Sequence, residues 1–124
     1  MKQVLIVDDS QTVRHEIAEA LHAAGFGTLQ AGDGEAGLAL AREHAICLII
    51  LDVNMPRMNG LQMLEQLRLD WATASVPVVI LTTEAEEPMI ERARKAGAKG
   101  WLIKPVTTAN IVSTVVAVTE RAKS

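Results

Sequence analysis

The feature that most constrains this chain is a set of short, unbroken apolar runs separated by helix-length amphipathic stretches. Residues 4–7, 46–51 and 76–81 are rich in Val, Ile and Leu and show no polar alternation. A strand with one face in water alternates polar and apolar side chains, whereas a strand covered on both faces does not. The three runs therefore read as central strands of a parallel sheet. Residues 28–31 and 101–103 are weaker runs that read as two further strands.

Helical patterns fill the intervals. Val13, Ile17, Leu21 and Ala24 keep a three-to-four spacing, with Ser10 placed to cap that helix and Gly25 to end it. Residues 35–43 read as a second helix. Leu61, Leu64, Leu67 and Arg68 mark a third after Gly60. Pro88 suits the first turn of a fourth, which Gly97 closes. Thr107 or Thr108 caps a fifth, with Ile111, Val115 and Val118 on one face. Seven of the nine residues from Ile111 to Thr119 are β-branched, which propensity assigns to strand. The apolar spacing and the four preceding strand–helix alternations argue for helix instead. The result is an α/β, (βα)5, doubly wound parallel sheet of five strands with right-handed crossovers.

At 124 residues the chain fits one domain, 1–124, able to bury about two-thirds of its unfolded surface. Twelve Lys and Arg against 15 Asp and Glu give a net charge of −3, and no basic run occurs, which opposes nucleic-acid binding. No apolar run approaches the roughly 20 residues of a membrane span, and no signal-peptide pattern opens the chain. Cys47 is the sole cysteine, so no internal disulfide can form; it reads as a core residue in a reducing compartment. With Phe26, Trp71 and Trp101 as the only aromatics, a flavin or stacked-base platform is excluded. Trp71 reads as a packing residue of the loop before the fourth strand. His15, His22 and His44 are scattered and read as surface residues.

Open α/β sheets bind ligands beyond the carboxyl ends of their strands. Strand 1 ends here in Asp8-Asp9, strand 3 in Asp52, strand 4 in Thr82-Thr83 and strand 5 in Lys104-Pro105. Clustered carboxylates resist ionising together, and a hard divalent cation such as Mg²⁺ resolves that conflict. Phosphoryl transfer needs a nucleophilic oxygen, Mg²⁺ and donors to the equatorial oxygens. Asp52 suits the nucleophile, Asp8 and Asp9 the metal carboxylates, and Thr82 and Lys104 the oxygen clamps.

Four segments carry a resemblance. They are Asp8-Asp9-Ser10, Asp52 to Gly60 (Asp-Val-Asn-Met-Pro-Arg-Met-Asn-Gly), Thr82-Thr-Glu-Ala85, and Gly97 to Pro105 (Gly-Ala-Lys-Gly-Trp-Leu-Ile-Lys-Pro). Together they resemble a response-regulator receiver domain of the single-domain, chemotaxis-regulator-like kind. The resemblance implies a flavodoxin-like strand order, 2-1-3-4-5. It makes Asp52 the phosphoacceptor, with Asp8, Asp9, Asp52 and the backbone carbonyl of Asn54 around Mg²⁺. It gives Thr82 and Lys104 the phosphoryl oxygens, Trp101 the aromatic switch position and Pro105 a cis peptide. Asn54 and Glu84 fall where the lifetime of the phosphoryl group is tuned. Three positions depart from the pattern: Trp101 replaces Tyr or Phe, Thr83 replaces a smaller residue, and Val53 replaces an aromatic.

The resemblance also implies partners: a histidine kinase or phosphotransfer protein as donor, and a downstream protein target in trans. The target would meet the surface of helix 4, strand 5 and helix 5. No output domain is expected after helix 5. The chain is expected to be cytoplasmic, monomeric or weakly dimeric when phosphorylated, and not an enzyme beyond assisting its own phosphotransfer and dephosphorylation. Lys104 is expected to pair with Asp52 at rest. The rivals are an aspartyl-phosphate phosphohydrolase and a phosphate-independent binding module. The first wants a second acid where Asn54 stands; the second leaves Asp9, Asp52, Thr82 and Lys104 without purpose.

Overall fold

The computed structural model describes residues 2–55, 58–83 and 86–123. Ten elements alternate strictly: β1 (Gln3–Val7), α1 (Gln11–Ala23), β2 (Gly27–Ala31), α2 (Gly34–Glu43), β3 (Leu48–Asp52), α3 (Gly60–Leu69), β4 (Val78–Thr82), α4 (Glu87–Lys95), β5 (Gly100–Ile103) and α5 (Thr108–Lys123). The strands form one parallel sheet in the order β2-β1-β3-β4-β5. This is the expected (βα)5 arrangement.

The unbroken apolar runs have a direct cause. Leu5, Val7, Ile49, Leu51, Val78 and Ile80 point to one face of the sheet, where Leu38, Leu64, Leu67 and Ala93 of α2, α3 and α4 cover them. Their neighbours Val4, Ile6, Leu48, Ile50, Val79 and Leu81 point to the other face, under Ile17, Leu21, Ile111 and Val115 of α1 and α5. Every residue of β3 and β4 is buried. Each large aliphatic side chain so buried contributes about 1.5–3 kcal/mol before entropy is counted. The outer strands β2 and β5 are only partly covered, which accounts for their weaker patterns.

The helix ends follow local chemistry. Ser10 accepts from the Val13 amide at 3.3 Å, and Gly25 and Gly97 leave α1 and α4 with φ of 93° and 81°. Asp33, which the sequence left without a role, caps α2 by accepting from the Ala36 amide at 2.8 Å. Asn59 and Gln62 exchange reciprocal 2.9 Å bonds at the start of α3, a capping box readable as Asn-x-x-Gln. α5 is a helix despite its β-branched content. Thr107 caps it, Ile111, Val115 and Val118 pack on α1 and the sheet, and Thr119 returns its hydroxyl to the Val115 carbonyl at 2.8 Å. Packing of one apolar face outweighs the few tenths of a kcal/mol per residue of intrinsic preference.

Two expectations about packing are corrected. Trp71 is 91% exposed and is not a packing residue, because Asp70 turns the chain outward. Asp70 accepts from the Ala72 amide and pairs with Arg42 at 2.9 Å, and the indole projects beyond that turn. Cys47 lies at the margin of the core, half-buried, since β3 begins only at Leu48; burial raises its thiol pKa.

Candidate functional site

β1, β3, β4 and β5 run parallel, so their carboxyl ends meet at one edge. Asp8 leaves β1 held on three sides. Its amide donates to the Ala31 carbonyl at 3.1 Å, its Oδ1 accepts from the Ser10 amide at 2.9 Å, and its carbonyl accepts from the Arg14 guanidinium. Asp8 is 1% exposed and Asp52 2% exposed, while Asp9 faces solvent. One carboxylate oxygen from each of the three lies within 4.8 Å of the others.

Lys104 crosses from β5 to this cluster. Its amide donates to the Thr82 carbonyl at 2.7 Å, and the Lys104–Pro105 peptide is cis, as the resemblance implied. The ammonium donates to Asp8 Oδ2 at 3.1 Å and stands 3.5 Å from Asp52 Oδ2. The expected resting pair with Asp52 is thus shared, and Asp8 holds the shorter contact. Asp8, just after β1, and Asp52, at the end of the central strand β3, are held alike: each accepts through Oδ1 from the amide two residues on, Ser10 at 2.9 Å and Asn54 at 3.1 Å, and turns Oδ2 to Lys104.

Burial and the neighbouring Asp8 charge push the Asp52 carboxyl up to about 6, against the opposing pull of the Asn54 amide and Lys104. For Lys104, burial pulls downward, but Asp8 and Asp52 outweigh it and the pKa rises, so the ammonium stays charged. Three carboxylates against one ammonium leave surplus negative charge. An all-oxygen, hard donor set of that charge fits Mg²⁺.

Thr82 ends β4 fully buried, on the sheet face that also carries Ile80. Trp101 pairs in register with Ile80 and packs, half-buried, against the same cluster. Thr82 and Trp101 therefore share a face. The Asn54 side-chain amide donates to Thr83 Oγ1 at 2.9 Å and to Thr82 Oγ1 at 3.4 Å. The resemblance implies for Asn54 a carbonyl ligand and a tuning role, with no connection to Thr83. Arg14, whose guanidinium holds the Asp8 carbonyl, also went unread, because a contact six residues away depends on how α1 packs. Glu84 lies outside the described residues.

A family model for the response regulator receiver domain matches residues 4–116. Protein PilH of Pseudomonas aeruginosa is 36% identical over 118 residues, spanning 95% of this chain and 98% of its own. A probable chemotaxis protein CheY of Rhizobium etli is 37% identical, spanning 94% and 91%. Among solved structures, chemotaxis protein CheY4 of Vibrio cholerae superposes with a TM-score of 0.90 at 35% identity, over 95% of this chain and 98% of that one.

Proposed function

This chain belongs to the response-regulator receiver family, and from that premise we propose that it is a phosphoacceptor switch whose acceptor is Asp52. The observation that carries this reading is the buried Asp52 carboxylate beside Lys104, at 3.5 Å, and within 4.8 Å of Asp8 and Asp9.

The chemistry follows from the side chains. An Asp52 oxygen attacks the phosphorus of a donor phosphohistidine; the phosphorus–nitrogen bond breaks, and the imidazole leaves with the electron pair. The raised pKa of about 6 leaves Asp52 ionised near neutral pH yet more basic than a solvent-exposed carboxylate. Asp8, Asp9, Asp52 and the Asn54 backbone carbonyl would hold Mg²⁺, which would supply charge neutralisation for the transferring group. Lys104 donates to a phosphoryl oxygen from its place between Asp8 and Asp52. The Thr82 hydroxyl turns to another.

That turn links chemistry to output. Thr82 and Trp101 lie on one face, so a shift of Thr82 alters the space beside the indole and the surface of α4, β5 and α5. A protein target in trans reads that surface, and a histidine kinase or phosphotransfer protein supplies the phosphoryl group in the cytoplasm. No helix among the described residues is long and apolar enough to cross a membrane. The phosphohydrolase alternative needs a proton donor two residues after the nucleophile; Asn54 supplies an amide there, engaged by Thr82 and Thr83.

Intact mass measured after incubation with Mg²⁺ and acetyl phosphate tests the reading. One added phosphoryl group is expected, absent in Asp52→Asn and absent with chelator. Equal modification of Asp52→Asn contradicts it.

A further inference from the structure

We propose that Thr83 is a positioning residue, the hydroxyl half of a latch with Asn54 that holds the end of β4 in its resting arrangement. Asn54 spans the site mouth. Its backbone amide donates to Asp52 Oδ1 at 3.1 Å, and its side-chain amide donates to Thr83 Oγ1 at 2.9 Å and Thr82 Oγ1 at 3.4 Å. One residue thereby ties the phosphoacceptor to the end of β4 across 28 and 29 positions of sequence.

The distances assign the roles. The 2.9 Å contact to Thr83 has the length of an ordinary hydrogen bond, and the 3.4 Å contact to Thr82 is at the weak limit. Thr82 is buried and Thr83 exposed, so a grip on Thr83 holds the strand end from its accessible side. On the phosphoacceptor reading, on which this inference rests, the Thr82 hydroxyl moves toward a phosphoryl oxygen. Thr83 is bonded directly to Thr82 in the chain, so the same motion separates the Asn54 amide from both hydroxyls. The latch exists at rest only, and it biases the protein toward rest. A ligand that needs the other state binds with an apparent affinity equal to its intrinsic affinity multiplied by the fraction of molecules already in that state.

A hydroxyl acceptor and mere bulk make opposite demands on the variants. Thr83→Val keeps the shape and removes the acceptor, Thr83→Ser keeps the acceptor and removes the methyl, and Thr83→Ala removes both. The probe is beryllofluoride with Mg²⁺, titrated calorimetrically and confirmed by fluorine NMR, so that no kinase surface enters the readout. The latch predicts that Thr83→Val and Thr83→Ala bind beryllofluoride about two- to tenfold tighter than the wild type, the span of one neutral hydrogen bond. Thr83→Ser binds as the wild type does. If Thr83→Val matches the wild type while Thr83→Ser and Thr83→Ala shift together, side-chain size is the determinant and the latch is overturned. Equal binding by all four proteins overturns it too. A wild type that binds no beryllofluoride overturns the phosphoacceptor reading itself, and the latch falls with it.

Discussion

A Cβ placed on Gly60 would lie 2.3 Å from the carbonyl oxygen of Asp52. The first residue of α3 is pressed against the backbone that presents Asp52, and its amide donates to the Val53 carbonyl at 3.1 Å. No side chain yields here, because the obstructing atoms are backbone. Gly60→Ala is expected to cost about 1–3 kcal/mol of stability, the usual range for forced overpacking, and to slow acetyl phosphate labelling of the folded fraction. Urea melts and initial labelling rates check this; a variant with wild-type values in both contradicts the close approach.

Metal-free stability should respond to pH through Asp52. Its folded pKa of about 6 exceeds the ordinary carboxylate value because burial and Asp8 disfavour the charge. Protonated Asp52 therefore favours folding. That contribution is complete below about pH 4 and is lost as pH rises through about 6. Asp52→Asn carries no such charge. In chelator, it should exceed the wild type in stability by about 1–2 kcal/mol at pH 7.5, after allowance for solvent at the sheet edge, with the gap closing toward pH 4. A gap independent of pH contradicts the assignment.

Lys104→Ala should separate two roles. Loss of the ammonium leaves Asp8 and Asp52, both nearly inaccessible, without their shared cation. Metal-free stability is expected to fall by about 1–3 kcal/mol at pH 7.5, and less at pH 5, where Asp52 accepts a proton. With Mg²⁺, labelling by acetyl phosphate should persist while the response to phosphorylation is impaired. Complete loss of labelling with an intact response would reverse the roles given to Lys104.

Trp101 reports on the face it shares with Thr82. Trp71 is 91% exposed, so Trp71→Phe removes the second indole at little structural cost. In that background, beryllofluoride with Mg²⁺ should shift Trp101 emission to the blue and reduce access to a soluble quencher, as the indole settles into space left by Thr82. Indole burial requires a partner for its N–H, so the shift is expected to be partial in the absence of a target. Unchanged emission with proven beryllofluoride binding would make Trp101 a fixed member of the core.

The fold was legible because β3 and β4 are buried on both faces, and that leaves an unmistakable apolar run. The site was legible because parallel strands bring their ends together, so Asp8, Asp52, Thr82 and Lys104 needed no further placement. What escaped depends on side-chain reach across elements. Arg68 looked like a companion of the apolar face of α3; it instead donates to the carbonyls of Ala74, Val76 and Ala96 at 3.0, 2.8 and 2.7 Å, fastening the loop before β4 to the end of α4. Trp71 misled because an aromatic in a loop resembles a packing residue until the turn at Asp70 is known. The partition of Lys104 between Asp8 at 3.1 Å and Asp52 at 3.5 Å is a matter of a few tenths of an ångström, and neighbouring strand ends look alike in sequence.

On the phosphoacceptor reading, Asp52, and neither of the other clustered carboxylates, receives the phosphoryl group. Borohydride reduces an acyl phosphate to an alcohol and leaves free carboxylates untouched, so the labelled residue can be located by tandem mass spectrometry of the digested protein. After treatment with Mg²⁺ and acetyl phosphate, reduction is expected at Asp52 alone, abolished by chelator. Reduction at Asp8 or Asp9, or at Asp52 without any need for the metal, would contradict it.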